Sequence, residues 1–133
     1  MTGNASTSRA ARTALEFLRL VEQRVLDDAA RLLAPDPLMI FPGGRRFRRL
    51  EEMVEFVAAR YRSIRKRVEE VDVAPRGDHD VVYVKGTLEG VNLRGVRFEG
   101  VRFVDRFVVS GERIVRDEVW NDLAESEALT RGI

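Results

Sequence analysis

Hydrophobic positions fall into two regimes along this chain. In the first half they recur three and four residues apart. Ala11, Ala14, Leu15, Leu18, Val21 and Val25 share one face at that spacing, which predicts an amphipathic helix over about 9–25, with Ser8 as its N-cap. Asp27 to Ala34 predicts a second, short helix. Pro35-Asp36-Pro37 ends it, because proline cannot continue a helix and disfavours helix in the residue before it. Leu38 to Phe41 reads as a short apolar strand, and Pro42-Gly43-Gly44 turns the chain. Leu50, Met53, Val54, Val57, Ala58, Tyr61 and Ile64 then resume the helical spacing and predict a helix over about 49–66. Its opposite face is charged: Glu51, Glu52, Glu55, Arg62, Arg65 and Lys66.

After Arg67 the period becomes two. Strands are predicted at 68–75, 79–91, 95–109 and 113–121, separated by the turn-forming runs Arg76-Gly77-Asp78, Asn92-Leu93-Arg94-Gly95 and Ser110-Gly111-Glu112. Residues 123–129 fit one or two further helical turns. Helices followed by a strand meander define an α+β class: one curved, mostly antiparallel sheet wrapped around the N-terminal helices, with a pocket on its concave face. Residues 1–10 are small and polar and are expected to be a flexible start, with 11–133 forming a single domain.

Composition narrows the functional classes. At 133 residues the chain can bury a core without staples. Having no cysteine excludes disulfides, thiol nucleophiles and thiolate metal sites. A net charge of +1 makes no case for nucleic acid or an anionic membrane. No run approaches the length of a membrane span, and the first residues lack the apolar core of a signal peptide; a cytoplasmic location is expected. His79, the only histidine, falls in a turn, and no set of convergent ligands surrounds it in sequence. Neither metal nor cofactor is expected. Arg45, Arg46, Arg48 and Arg49 could hold an anion; the plainer alternative is a solvated cluster pairing with Glu51 and Glu52.

The chemistry centres on Asp105. In the strand at 95–109, Val101, Phe103, Asp105, Phe107 and Val109 share one face, so Asp105 is the lone charge on an apolar surface. A carboxylate there is costly unless it is paired, hydrogen-bonded or protonated. It is either a functional group or a structural acceptor for a neighbouring arginine. On the last strand, Arg116, Glu118, Trp120 and Asp122 share one face, and Val115, Asp117, Val119 and Asn121 the other. The tryptophan face is taken as the inner one, which makes Trp120 a pocket wall and puts Asp122 at the rim; otherwise Asp117 and Asn121 look inward. Two carboxylates in an apolar pocket suit acid/base work, because burial raises one pKa and leaves the other group ionised.

Phe41-Pro42-Gly43-Gly44, Val104-Asp105-Arg106-Phe107 and Gly111-Glu112-Arg113-Ile114 leading to Val119-Trp120-Asn121-Asp122-Leu123 occur in an order that resembles the SnoaL-like families of the nuclear transport factor 2-like superfamily. The resemblance runs from about Ala11 to Glu125. It implies a cone of helices and curved sheet with a deep pocket, dimeric through the outer sheet face, where the strand at 95–109 also carries valines. Asp122 falls where SnoaL-like polyketide cyclases carry their acid/base aspartate. Asp105 falls where ketosteroid isomerases carry a protonated aspartate that hydrogen-bonds the developing oxyanion; the isomerase base position is Phe41 here. Limonene-epoxide-hydrolase-like members use an Asp-Arg-Asp set to activate water. Asp105 with Asp117 or Asp122 could supply its carboxylates, but Arg102 lies on the wrong face of the strand.

The expected function is binding of a small, largely apolar molecule in the cone, with cofactor-free acid/base chemistry of cyclase or isomerase type. Asp122 would be the proton shuttle and Asp105 the second acid or oxyanion partner. Tyr61, Phe103, Phe107 and Trp120 would wall the pocket, with Phe41 near its mouth. The alternatives are a non-catalytic binding or dimerising module and epoxide-hydrolase-like water activation.

Overall fold

The computed structural model describes residues 8–132. The chain runs α1 (Arg9–Glu22), α2 (Leu26–Arg31), β1 (Leu33–Phe41), a 3-10 turn at Pro42–Gly44, β2 (Arg45–Phe47), α3 (Leu50–Ala58), β3 (Tyr61–Pro75), β4 (Asp80–Asn92), β5 (Arg97–Ser110) and β6 (Arg113–Asn121). Residues 1–7 of the expected flexible start lie outside the described residues; Arg9 and Ala10 already belong to α1.

Ser8 caps α1, its hydroxyl accepting from the Ala11 N–H at 3.3 Å. The buried face of α1 is Ala10, Ala11, Ala14, Phe17 and Leu20. The alanines let the helix lie close to the sheet, and Phe17 meets Phe107 edge-on with ring centroids 6.2 Å apart. α1 ends earlier than its pattern suggests. The Val25 N–H bonds back to the Leu20 carbonyl at 2.9 Å and the Arg24 N–H to Val21 at 3.1 Å, which is the Schellman ending. That ending places Arg24 in the left-handed region at φ 61°, where a residue with a Cβ costs about 1 kcal/mol.

The sheet order is β2-β1-β6-β5-β4-β3. Every neighbouring pair is antiparallel except β1 and β6, which are parallel. β1 starts at Leu33 rather than Leu38. Pro35 and Pro37 sit inside it, in the irregular stretch between the Leu33–Ile114 and Leu38–Arg116 pairs, where the ladder does not need their missing N–H groups.

The main departure from expectation is at α3. It stops at Ala58, and Tyr61 to Lys66 belong to β3, a 15-residue strand. Tyr61 and Ile64 fit a helical face, but Ile64 and Lys66 equally fit a strand face. Pairing decides: β3 runs against β4 from Tyr61–Asn92 to Pro75–Asp80, and that long ladder overrides a short helical pattern. Register shifts in β3, at Tyr61/Ser63 and Val68/Glu70, bend the sheet. Gly86 sits opposite the second; a Cβ there would collide with the Arg67 carbonyl oxygen.

After β6 the chain forms consecutive hydrogen-bonded turns over 123–132 rather than a helix. Asn92, fully buried, anchors this tail. Its Nδ2 donates to the carbonyls of Ala128 (3.0 Å) and Arg131 (2.9 Å), and its Oδ1 accepts from the N–H groups of Arg94 (2.9 Å) and Val96 (3.0 Å). Both donors and both lone pairs of the amide are used. Asn92→Ala strands four polar groups at once, and urea unfolding is expected to show a loss of about 3 kcal/mol. A loss below about 1 kcal/mol would mean that the tail does not depend on Asn92.

Candidate functional site

Between α1, α3 and the concave face lies a cavity of about 90 Å³. Its walls are apolar: Phe17, Leu18, Val21, Met53, Val57 and Leu88. Its inner end carries Asp105 and Asp117, which are 0% and 3% exposed, together with Lys66 and Asn121. Tyr61 is buried in the wall, Phe41 also lines it, and Glu22, Arg24 and Arg60 stand where the cavity meets solvent.

β5 delivers Asp105 inward as its apolar face predicts. On β6 the inner face is the opposite of the expected one. Asp105 pairs with Val119 and Phe107 with Asp117, so Asp117 and Val119 look into the cone while Trp120, 52% exposed, looks out. A register shift between Val108 and Val109 brings Ile114 to the inner face as well. Asp122 also lies outside the cavity, and its Oδ2 accepts from Arg102 Nε at 2.6 Å on the surface. The expected Asp105–Asp122 pair across one cavity therefore does not form, and Trp120 is not a pocket wall. The physical reason was present in composition: the tryptophan face carries Arg116, Glu118 and Asp122, three charges that stay hydrated only on the outer surface. Phe103 and Phe107 face inward and are buried but do not line the cavity. They form the layer behind it, Phe107 against Phe17 and Phe103 beneath Lys66. Phe41 and Tyr61 line the cavity.

Lys66 is the residue that sequence reasoning missed. Its ammonium donates to Asp105 Oδ1 at 2.9 Å and lies 5.0 Å from the Phe103 ring centroid, a cation–π contact. Lys66 pairs with Leu88, whereas Asp105 pairs with Val84. The lysine chain therefore crosses the inner face diagonally to reach the aspartate. Its backbone N–H is held by Glu22 Oε1 at 2.9 Å, which ties α1 to β3. The available signal was its alternation with Ile64 at a period of two.

Asp105 and Asp117 are diagonal neighbours on adjacent strands. Burial and the Asp105 carboxylate push the Asp117 carboxyl well above its ordinary range, and Lys66 only partly opposes them. Burial alone would lower Lys66; the carboxylates of Asp105 and Asp117 outweigh it and raise the ammonium above its usual value. Burial likewise raises Tyr61. The inner end thus holds the Lys66–Asp105 ion pair and, beside it, a carboxyl that burial and Asp105 bias toward its protonated form. Asp105 Oδ2 and Asp117 Oδ1 have no other hydrogen-bond partner among the described residues, and a proton on Asp117 bonds the two carboxyls to each other. No group of three His, Cys, Asp or Glu side chains is placed to hold a metal ion among the described residues. No described helix is long and apolar enough to cross a membrane. His79 sits in the β3–β4 turn, bonded to Asp78 at 2.6 Å. Arg48 pairs with Asp36 at 3.5 Å, rather than with Glu51 or Glu52.

The SnoaL-like domain family profile matches residues 14–117. The chain belongs to the SnoaL-like domain family. Among solved structures, an NTF2-like protein of unknown function from Burkholderia pseudomallei is 22% identical, with a TM-score of 0.77 over 92% of this chain and 98% of that one. TerC, co-crystallised with polyporic acid, is 21% identical, with a TM-score of 0.75 over 92% and 98%. An LEH-like epoxide hydrolase of M. tuberculosis is 17% identical, with a TM-score of 0.69 over 93% and 91%. These likenesses establish the NTF2-like α+β cone. No curated protein matches the chain.

The raised Asp117 pKa fixes a sign in the stability of this SnoaL-like domain. Between the unfolded value near 3.8 and the raised folded value, the native state binds a proton that the unfolded chain does not. Stability therefore falls as pH rises through that window. Asp117→Asn, which cannot ionise, should remove the decline. Denaturant titrations of both proteins across the window should show the variant gaining on wild type as pH increases; parallel curves would show that Asp117 is ionised in the native state.

Proposed function

We propose that this SnoaL-like domain binds a small, largely apolar molecule in the cone and moves protons on it without a cofactor, with Asp105 as base and Asp117 as acid. The observation that carries this reading is the pairing of two buried carboxyls in one apolar cavity, with Lys66 committed to only one of them. Lys66 is bonded to Asp105, while burial and Asp105 raise the Asp117 carboxyl, the asymmetry that acid/base catalysis requires. For a carbonyl substrate, Asp105 removes a proton from the carbon next to the carbonyl. The electron pair moves onto the oxygen, and Asp117 donates its proton there, giving the enol. Return of a proton at another carbon completes an isomerisation; attack of the enol carbon on a second carbonyl completes an aldol ring closure.

A second reading has its own support. Asp105, Lys66 and Asp117 reproduce a carboxylate–cation–carboxylate set, with lysine where the limonene-epoxide-hydrolase-like pattern has arginine. Asp105 would take a proton from water as its oxygen attacks an epoxide carbon. The carbon–oxygen bond breaks, and Asp117 protonates the leaving alkoxide to give a diol.

Deuterium exchange next to the carbonyl of small apolar ketones, followed by NMR in D₂O, tests the first reading; diol formation from small epoxides tests the second. Asp105→Asn and Asp117→Asn should each slow the active reaction by about 10²–10⁴-fold, with circular dichroism confirming that the variants fold. Binding of ketones or epoxides with neither exchange nor diol would instead establish a non-catalytic binding module.

The outer sheet face supports a homodimer in this reading. Trp120 is half exposed there and pairs across the ladder with Val104, rimmed by Arg106, Glu118 and Arg116, which are joined by ion pairs of 3.5 and 3.0 Å. Light scattering should give the dimer mass for wild type and the monomer mass for Trp120→Asp; a monomeric wild type would end the proposal.

A further inference from the structure

We propose that Arg24 and Arg60 form a carboxylate-binding subsite at the mouth of the cavity, so that the molecule entering the cone is a small apolar acid. The inference rests on the reading above that the cone binds a small molecule.

The charge inventory of the lining points this way. Lys66 and Asp105 cancel at the inner end. Asp117 lies at that buried inner end too, away from the mouth. Glu22 has one oxygen on the Lys66 backbone N–H. What remains is two guanidiniums against one carboxylate, a net excess of one positive charge at the opening of a low-dielectric cavity. Such an arrangement focuses the field and attracts a monoanion. Among the described residues neither Arg24 nor Arg60 has an ion-pair partner.

Each arginine is also held in place by contacts that leave guanidinium donors available. Arg60 lies 5.1 Å from the centroid of Phe56, a ring packed against Phe41 and Phe47. Arg24 gives one Nη1 hydrogen to the Val21 carbonyl at 2.6 Å, and a guanidinium has five donors. Both act electrostatically on the buried Tyr61 between mouth and interior. The backbone adds an independent observation: Arg24 occupies, at φ 61°, the position after the helix that glycine fills most comfortably. An arginine there works against the conformation, which a role for its side chain at the cavity explains.

The test uses two ligands of the same shape, 3-phenylpropanoate and 3-phenylpropanamide, titrated calorimetrically into the full chain near neutral pH. Wild type should bind the acid about tenfold tighter than the amide, as charge-assisted hydrogen bonds to two guanidiniums predict. Arg60→Gln and Arg24→Gly should each reduce that preference, and the double variant should bring it close to parity. Arg24→Gly should also keep or raise the Tm, which separates loss of the subsite from loss of the fold. Equal binding of acid and amide by wild type would overturn the subsite and leave the small-molecule reading standing. Retention of the preference in the double variant would overturn it too, by sending the carboxylate elsewhere. Failure of wild type to bind either ligand would overturn both.

Discussion

Two aspartates on adjacent strands face the same apolar interior, and a single ammonium reaches that end of the cone. Two carboxylates buried side by side cannot both stay ionised at ordinary cost, because desolvation and mutual repulsion act in the same direction. The Lys66–Asp105 contact at 2.9 Å resolves the conflict by stabilising one anion. Asp117 then takes the other solution, its carboxyl raised well above the usual range. Reversing the assignment would leave the ammonium without a carboxylate beside it. Removing the ammonium would leave a buried carboxylate unpaired, a larger loss than the ion pair's own net contribution. The inner surface of the sheet is viable because these three groups are arranged as a unit, which also makes its protonation pattern asymmetric.

That unit constrains the fold far from the site. Lys66 reaches Asp105 only if its segment is a strand whose inner face includes Ile64 and Lys66. Gly86 lets the backbone of β3 approach at the Val68/Glu70 shift, just past Lys66. Phe103 gives the ammonium an aromatic surface to lie on, so that a chain only 25% exposed loses less by leaving water. Glu22 fixes the Lys66 backbone from the end of α1. The strand, the ring and the helix end are separate in sequence, and their joint product is the position of one nitrogen.

This distribution explains what could be read in the chain and what could not. The α+β class, the cone and the inward Asp105 follow from periodicity in segments whose pattern is unambiguous, such as Val101 to Val109. The face of β6 did not follow from taking Trp120 as a core residue. Large aromatics are often buried, but the charges flanking Trp120 at alternate positions outweigh that tendency, and the pairing of Asp105 with Val119 makes the outcome unavoidable. Asp122 was misplaced by the same inversion. Lys66 was hidden for a different reason. Tyr61 to Lys66 satisfies two periods at once, and only the partner strand, some 25 residues later, separates them. Asn92 was read as turn chemistry; two of its four hydrogen bonds reach a tail almost 40 residues downstream, a relation no local pattern contains.

The same physics runs from the inner end of the cavity to its mouth. Inside, the Lys66 ammonium is balanced by Asp105, and the carboxyl beside them is biased toward its neutral form. At the opening the balance is left incomplete on the positive side, in water, where an unpaired guanidinium costs little. A cavity organised in this way orients what enters it. An apolar body favours the walls of Phe17, Met53, Val57 and Leu88, a negative end favours the mouth, and a neutral oxygen-bearing end favours the acid of Asp117 over the anion of Asp105. Steps that begin or end with a proton on that oxygen therefore match the field already built into the fold. The left-handed Arg24 fits this picture: a small conformational cost taken at the surface, where the chain could have placed glycine, in return for charge at the entrance.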